Sequence, residues 1–193
     1  GSLQALAQES TIIISVCPPH AAEDVAQQVA ATGFAGIYVD ANAIAPQRAR
    51  LIQERVETAG ARYVDGGIIG PPASKPGTTR FYLSGLAASD VAACFDEGPL
   101  EAIPIGDASD ATAGAASALK MAYAAYTKGT TALLLAILGV ARASGVEQAL
   151  AGEWQRSQPA LATDAEGRIR ASAAKAWRFS GEMKEIAATF AAA

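Results

Sequence analysis

Two patterns of apolar and polar residues alternate along the first hundred residues. Short runs rich in β-branched residues predict strands, and the first run, residues 11–16, is apolar on both faces, which is typical of a buried parallel strand. Stretches of helical composition separate the runs. Strands are predicted at residues 11–16, 36–40, 61–69, 80–84 and 101–105, and helices at 21–31, 46–58 and 87–95. This order predicts an α/β fold with a mostly parallel, helix-covered sheet.

After residue 106 the strand signals stop and helical spacing continues. Apolar residues recur at steps of three or four between 109 and 144, a stretch without proline that predicts one long interdomain helix, with Gly129 and Gly139 as its weak points. Further helices are predicted at 146–156 and from 171 onward. We therefore divide the chain into a sheet domain, residues 1–106, and an all-helical domain, residues 107–193.

The composition narrows the classes of protein that fit this pattern. Hydrophobic residues make up 51% of the chain and charged residues 18%, which excludes a disordered chain. Alanine supplies 47 of the 193 residues, which predicts close helix packing. Fifteen Lys and Arg stand against nineteen Asp and Glu, so the basic excess typical of nucleic-acid binders is missing and no nucleic-acid partner is expected.

The location in the cell follows from cysteines and apolar runs. Cys17 and Cys94 are far apart and form no C-x-x-C pair, which indicates a reduced intracellular protein. The longest apolar run, residues 132–140, is too short to span a bilayer, and no signal peptide opens the sequence. We expect a cytoplasmic protein without a membrane partner.

Several catalytic motifs are absent from the sequence. His20 is its one histidine, so an H-E-x-x-H zinc site is excluded, and no C-x-x-C pair could bind zinc. Neither a G-x-S-x-G elbow nor a Walker A lysine motif occurs. Hydrolase and metalloenzyme functions are therefore disfavoured, and no metal is expected.

Three segments follow predicted strands, at residues 15–20, 40–46 and 65–72. The carboxyl ends of parallel strands are where α/β proteins bind ligands. Glycines there allow close approach to a ligand, and Asn42 offers hydrogen-bond donors and acceptors. The alternative is that all three are ordinary turns between a strand and a helix.

Lys120 lies near the start of the predicted long helix, after a run of small residues that allows tight packing. We expect its side chain to point into the cleft between the domains. A lysine shielded from water there can act as a general acid or base. The alternative is a solvated helix lysine, which most lysines are. Lys128, two turns on, faces roughly the same side.

Four segments, in order along nearly the whole chain, match the pattern of a known family. They are Val39-Asp40-Ala41-Asn42 through Pro46, Val64-Asp65-Gly66-Gly67 through Pro71, Ala118-Leu119-Lys120-Met121 through Gly129, and Lys175-Ala176-Trp177-Arg178 through Met183. These segments resemble the β-hydroxyacid dehydrogenase superfamily, which includes 3-hydroxyisobutyrate and 6-phosphogluconate dehydrogenases. The resemblance is greatest to its 6-phosphogluconate dehydrogenase-like branch.

This resemblance implies a fold and an activity. Residues 1–106 would be the carboxyl-terminal portion of a Rossmann-like nucleotide-binding domain, and the helical domain would carry substrate contacts and form a homodimer. The implied reaction moves a hydride between a nicotinamide cofactor, NAD or NADP with a slight preference for NADP, and a small hydroxyacid or related carbonyl substrate.

The resemblance also implies roles for individual residues. Lys120 matches the catalytic lysine, which protonates or deprotonates the reacting oxygen while the hydride moves. The implied cofactor contacts are Val16, Cys17 and Pro18 beside the ribose and Asn42 near the nicotinamide. The implied substrate contacts are Gly67, Ile68, Ile69 and Gly70 around the carboxylate, together with Ala124 and Lys128 on the long helix.

The sequence departs from the superfamily's pattern at substrate positions. Ile69 stands where enzymes like 3-hydroxyisobutyrate dehydrogenase have a serine, and Ala124 where they have an asparagine. Tyr123 or Thr127 offers a replacement hydroxyl, with helix packing as the alternative. Trp177 and Arg178 are candidates to close the pocket, since arginine suits carboxylates and phosphates, although a tryptophan is more often part of a core.

A larger departure concerns the nucleotide-binding half. A Rossmann domain begins with a strand and G-x-G-x-x-G, and that pattern is absent from the sequence. We expect that roughly 60 to 70 residues, two βα units, precede this chain, and that it is part of a larger enzyme.

Two other functions remain open. The absent glycine motif, Ile69 and Ala124 are compatible with a non-catalytic ligand-binding or assembly protein that retains the helical dimerisation domain. The second alternative function is an imine-reductase-like activity. Imine reductases often have another residue in place of the catalytic lysine, so Lys120 argues against this alternative. Calorimetry with NADH and NADPH separates enzyme from non-catalytic protein.

Overall fold

The computed structural model describes residues 1–106, 114–173 and 176–193. Strands and helices alternate up to residue 104, and helices follow. The strands are β1 (Ile12–Ser15), β2 (Ile37–Asp40), β3 (Arg62–Ile69), β4 (Thr79–Ser84) and β5 (Leu100–Pro104). The helices are α1 (Leu3–Glu9), α2 (Ala22–Ala31), α3 (Pro46–Thr58), α4 (Ala88–Ala93), α5 (Ala115–Ala124), α6 (Thr130–Ala143), α7 (Glu147–Ser157), α8 (Pro159–Ala173) and α9 (Phe179–Ala191).

The five strands form one sheet in the order β1-β2-β3-β4-β5. β1, β2 and β3 are parallel to one another, β4 is antiparallel to β3, and β5 is parallel to β4. The direction reverses at β4 because the segment between β3 and β4 contains no helix, and a parallel connection needs a crossover element. The predicted α/β class, a partial Rossmann-type sheet followed by helices, is confirmed.

A hydrophobic core covers each face of the sheet. On one face, Ile13, Tyr38 and Tyr63 pack against apolar residues of α2 and α3. On the other face, Val39, Val64 and Leu83 are buried with residues of α4. Because strand side chains alternate between faces, this division explains why the central strands are apolar on both sides.

The helical part differs from the predicted elements in three places. The predicted long helix runs without a break from Ala115 to Ala143, but a π-helical turn, Ala125–Gly129, joins α5 to α6 within it and ends at the glycine expected to be a weak point. Residues 109–113 of that prediction lie outside the described residues. Prediction missed α8, which begins with a proline suited to a first helical turn, and it placed the start of the last helix eight residues before Phe179.

Helix α1 was also missed by the sequence analysis. The Ser2 hydroxyl accepts a hydrogen bond from the Ala5 N–H at 3.2 Å, which caps the helix. A cap of this kind stabilises a short helix that has no buried residue of its own.

Packing groups the chain into two compact units. The first unit contains residues 1–122 and 184–193, and the second contains residues 123–183. The domain boundary predicted at residue 106 adjoins residues 107–113, which are not described, and it stays a prediction.

In the part of the chain that the structure describes, one helix, Ala115–Ala143, is long enough and apolar enough to cross a bilayer, judged by length and composition alone. Its mean hydropathy reaches 1.4 over 18 residues. Helices of soluble proteins also pass this test, so the property by itself does not identify a membrane protein.

Candidate active site

A row of buried polar residues crosses four strands of the sheet. Ser15, Asp40 and Asp65 are register partners on β1, β2 and β3, and Ser84 of β4 is the partner of Asp65. All four side chains are buried. Burying polar groups costs free energy unless hydrogen bonds compensate, so the partners of this row determine what surrounds it.

Asn42 connects the segments that follow β1 and β2. Its Oδ1 accepts the Cys17 N–H at 2.6 Å, and its Nδ2 donates to the Ser15 hydroxyl at 3.0 Å. Its own N–H donates to Asp40 Oδ1 at 3.0 Å. Asn42 is buried, so its amide holds the two segments together from inside the protein.

The Asp65 carboxylate accepts hydrogen bonds from the first turn of α5. The Ser117 N–H donates to Asp65 Oδ2 at 2.9 Å, and the Ser117 hydroxyl donates to Oδ1 at 2.6 Å. The Ser84 hydroxyl donates to Oδ2 at 3.2 Å and accepts the Ala116 N–H at 3.1 Å. Burial raises the pKa of the Asp65 carboxyl, and the hydrogen bonds from Ser117, Ser84 and Ala116 oppose that rise.

Lys120 lies one turn after Ser117, where α5 crosses β3. Its Nζ donates to the Ile68 carbonyl oxygen at 2.6 Å, and the side chain is half-buried. A Cβ added at Gly67 would lie 2.8 Å from the Ala116 carbonyl oxygen and 3.1 Å from Lys120 Cβ. Glycine at 67 therefore lets the helix lie directly on the strand and brings the lysine to the strand's backbone.

The predicted cofactor residues lie at the end of β1. Val16 and Pro18 are exposed, Cys17 is half-buried, and Asn42 is buried beneath them. The structure therefore brings Cys17 and Asn42 into contact. Burial raises the pKa of the Cys17 thiol, with a further rise from the nearby Asp40 and an opposing hydrogen bond from Ser15.

The predicted substrate residues of the first unit lie on or just after β3. Gly67 and Ile69 are buried, Ile68 is half-buried and Gly70 is exposed with φ of +130°. A Cβ at Gly70 would lie 2.4 Å from the Thr78 carbonyl oxygen, so this position also requires glycine.

The remaining predicted substrate residues belong to the second unit. Lys128 forms an ion pair with Glu182 at 3.0 Å, with Nζ 5.1 Å from the centroid of the Phe179 ring, and Ala124 is buried. The Thr127 hydroxyl donates to the Tyr123 carbonyl oxygen at 3.1 Å within the helix.

The last resembling segment is only partly described. Trp177 is 80% exposed, and Tyr123 is also exposed. Lys175 and the side chain of Arg178 lie outside the described residues. The predicted closure of a pocket by Trp177 and Arg178 stays a prediction.

Sequence reasoning gave no role to Ser15, Ser84 or Ser117, and it treated Asp40 and Asp65 only as the beginnings of segments. The available signal was a polar residue closing an apolar strand, as in Ile-Ile-Ile-Ser at 12–15 and Ile-Tyr-Val-Asp at 37–40. The part of the chain that the structure describes contains no cluster of three or more His, Cys, Asp or Glu suited to a metal ion.

Known proteins resemble this chain in sequence and in structure. The profile of a domain of unknown function (DUF1932) matches residues 141–193. An uncharacterized 28.5 kDa protein in the 7S RNA 5′ region of Methanothermus fervidus is 32% identical over 142 residues, which cover 73% of this chain and 52% of that protein. The chain thus spans about half the length of this relative.

A solved structure of a conserved protein of unknown function, with structural similarity to 3-hydroxyacid dehydrogenases, matches with a TM-score of 0.74 and 28% identity. The match covers 99% of this chain and 71% of that one. By fold and sequence, the chain fits the β-hydroxyacid dehydrogenase superfamily. The resemblance to this superfamily is confirmed, whereas the 6-phosphogluconate dehydrogenase-like branch stays a prediction.

The superfamily fold extends to more distant proteins. An imine reductase from Myxococcus stipitatus in complex with NADP⁺ matches with a TM-score of 0.60 and 20% identity, covering 89% of this chain and 61% of that one. At this identity the likeness shows a shared fold alone.

Proposed function

We propose that the complete gene product is an NAD(P)-dependent oxidoreductase. It transfers a hydride between a nicotinamide cofactor and a small hydroxyacid or related carbonyl substrate, with Lys120 as the general acid and base. The observation that supports this most is the position of Lys120, whose ammonium is fixed 2.6 Å from the Ile68 carbonyl oxygen beside the glycines of β3. A half-buried lysine on a rigid helix is suited to proton transfer at a defined point.

Lys120 would handle the proton of the reaction. In the oxidative direction, neutral Nζ accepts the substrate hydroxyl proton while the C–H bond on the same carbon breaks. In the reductive direction, the ammonium returns a proton to the carbonyl oxygen. A bound nicotinamide cofactor supplies the redox chemistry, as acceptor or donor of the hydride.

The end of β1 fits contacts with the ribose of such a cofactor. Val16 and Pro18 present exposed surface there, and the Cys17 N–H between them is held by Asn42. The Oδ1 and Nδ2 atoms of Asn42 both have hydrogen-bond partners within the fold. We therefore propose that Asn42 supports residues 15–17 from below, near the nicotinamide. The complexes of imine reductases with NAD⁺ and with NADP⁺ support a nicotinamide cofactor, and the slight preference for NADP is our proposal.

The substrate carboxylate is proposed to bind at the carboxyl end of β3. Among the predicted residues there, Ile68 and Gly70 retain accessible surface, whereas Gly67 and Ile69 support the backbone from within. In the second unit, Ala124 and Lys128 remain proposed substrate contacts, and Lys128 would have to exchange Glu182 for the substrate.

We further propose a cytoplasmic homodimer formed through the helical residues, without nucleic-acid or membrane partners. Leu133, Leu135 and Val140 of α6 are each more than half exposed, which supports an apolar contact surface. Sedimentation equilibrium measures this oligomeric state directly.

Turnover by Lys120→Ala tests the proposal, with the exposed Lys75→Ala as the matched control. NAD(P)⁺-dependent oxidation of 3-hydroxyisobutyrate and 6-phosphogluconate, and reduction of a cyclic imine, are measured on the complete gene product. We expect Lys120→Ala to lower kcat of hydroxyacid oxidation by about 10²- to 10⁴-fold, the usual contribution of a general acid or base. NADPH binding, measured by calorimetry, should stay within about twofold, because Lys120 acts on the substrate.

Two results contradict the proposal. Unchanged turnover in Lys120→Ala removes the acid–base role, and imine reduction that survives this substitution favours the imine-reductase alternative. Absence of saturable NADH or NADPH binding favours a non-catalytic ligand-binding or assembly protein.

A further inference from the structure

Asp65 is fully buried and lies on the same strand as the carbonyl that holds Lys120. Its two carboxylate oxygens accept the N–H and the hydroxyl of Ser117, and its partner Ser84 accepts the Ala116 N–H. The first N–H groups of a helix have no partners within the helix. Here the sheet supplies these partners, and a carboxylate also interacts favourably with the positive end of the helix dipole.

The helix is attached to β3 at two points. Asp65 holds Ser117, and three residues further along both elements, the Ile68 carbonyl accepts from Lys120. Between these points, Gly67 has no side chain to separate the two backbones. The position of Lys120 along and around the helix axis is therefore set one turn earlier, at Ser117.

We propose that Asp65 is the positioning residue for Lys120. Asp65, with Ser117 and Ser84, holds the first turn of α5 against β3 so that the Lys120 ammonium stays at the Ile68 carbonyl. Asp65 contacts neither substrate nor cofactor in this role. This inference rests on the proposed function only because that function makes Lys120 the general acid and base. The placement of Lys120 can be tested without measuring turnover.

The experiment measures the rate of reductive methylation of single lysines in the complete gene product, by mass spectrometry with ¹³C-formaldehyde and borane. Exposed Lys75 reports the intrinsic reagent rate. Lys128, paired with Glu182 in the second unit, reports general opening of the protein. The variants are Asp65→Asn, which replaces one acceptor by a donor facing Ser117, and Ser117→Ala, with Ser117→Thr as the conservative control that keeps a hydroxyl.

We expect Asp65→Asn and Ser117→Ala to raise the Lys120 rate, relative to Lys75, by about fivefold to tenfold, the effect of losing one net hydrogen bond. The Lys128 rate should stay unchanged, and Ser117→Thr should stay within about twofold of the wild type because its hydroxyl still reaches Asp65. If Asp65→Asn does not fold, Ser117→Ala carries the test.

Two outcomes overturn the inference. An unchanged Lys120 rate means that Asp65 does not set the position of Lys120, and equal rises at Lys120 and Lys128 mean that Asp65 only stabilises the fold. NADPH binding by the wild type and the same variants, measured by calorimetry, separates the two proposals. If NADPH does not bind, the proposed function is wrong, and the Lys120 methylation rates still decide whether Asp65 positions Lys120.

Discussion

Asp40 ends β2 with its carboxylate inside the protein. Oδ1 accepts the Asn42 N–H, and Oδ2 has no hydrogen-bond partner within the described residues. Burial raises the pKa of Asp40 to about 7, the negative charge of Asp65 adds to the rise, and hydrogen bonds from Asn42 and the charge of Arg48 oppose it. The folded protein therefore favours the protonated carboxyl, whereas the unfolded chain releases this proton near pH 4.

This difference makes the protein less stable as pH rises. The stabilisation from protonated Asp40 is complete below about pH 4 and is lost as pH rises through about 7, because the folded state binds the extra proton. Asp40→Asn keeps the shape and Oδ1 but cannot ionise. Between pH 5 and pH 8, wild type should lose on the order of 2–4 kcal/mol of unfolding free energy relative to Asp40→Asn, as measured by urea denaturation.

The exposed Asp96→Asn variant is the control and should follow wild type at both pH values. Parallel pH dependence of Asp40→Asn and wild type would show that Asp40 is ionised in the folded protein throughout.

At the scale of elements, the contact between α5 and β3 depends on one missing side chain. A Cβ at Gly67 would meet the Ala116 carbonyl and Lys120 Cβ inside van der Waals distance, and both belong to the helix. The neighbouring backbone has to move to admit a methyl group there, whereas a flexible side chain could have turned away.

Gly67→Ala should therefore destabilise the protein by about 1–3 kcal/mol, the usual cost of overpacking. The control is Gly139→Ala in α6, where an added Cβ meets nothing within 4 Å and where alanine favours the helix by up to about 1 kcal/mol. Urea denaturation of both variants checks the contrast, and equal stability of Gly67→Ala and wild type would contradict the close packing.

The elements also show what sequence reasoning can reach. The five strands were predicted close to their observed bounds because β-branched runs bounded by Gly and Pro are strong local signals. α8 was missed because its apolar residues recur only weakly at helical spacing. Among its described side chains, the buried hydrophobic one is the small Ala165. The π-helical turn depends on packing, and nothing in local spacing distinguishes it from α-helix.

The candidate site was predictable only in part. Lys120 and the glycines of β3 were singled out from their places in the sequence, the resemblance then gave them specific roles, and those roles stay predictions. The roles of Asp65 and Ser117 were not predictable, because their bond joins residues 52 positions apart and depends on strand register. The buried placement of Asn42 was missed for the same reason.

At the scale of the whole molecule, the first unit is built from two separate stretches of chain. Glu185 of α9 joins them: its Oε2 accepts the Ala45 N–H at 2.9 Å, and its Oε1 pairs with Arg48. Arg48 also pairs with Glu23 of α2 at 2.7 Å and donates to the Pro19 carbonyl at 3.0 Å. Ala45 directly precedes α3, so Glu185 binds the chain at the amino end of this helix as well as the Arg48 side chain within it.

Glu185→Ala should lower the unfolding free energy by about 2–4 kcal/mol, because it removes the largely buried carboxylate that pairs with Arg48 and accepts the Ala45 N–H. The exposed Glu54→Ala on α3 is the matched control and should change it by less than about 0.5 kcal/mol. Urea denaturation measures both, and equal effects of the two substitutions would show that Glu185 does not hold the unit together.

The bond between Ala45 and Glu185 spans 140 residues of chain. During synthesis, the amino end of α3 leaves the ribosome long before its acceptor exists. At about 5–20 residues per second, this acceptor arrives roughly 7–30 s later, after all of residues 123–183 have been made. The first unit therefore cannot form this bond until residue 185 has been made, and a ribosome that stalls before residue 185 leaves the Ala45 N–H without this acceptor.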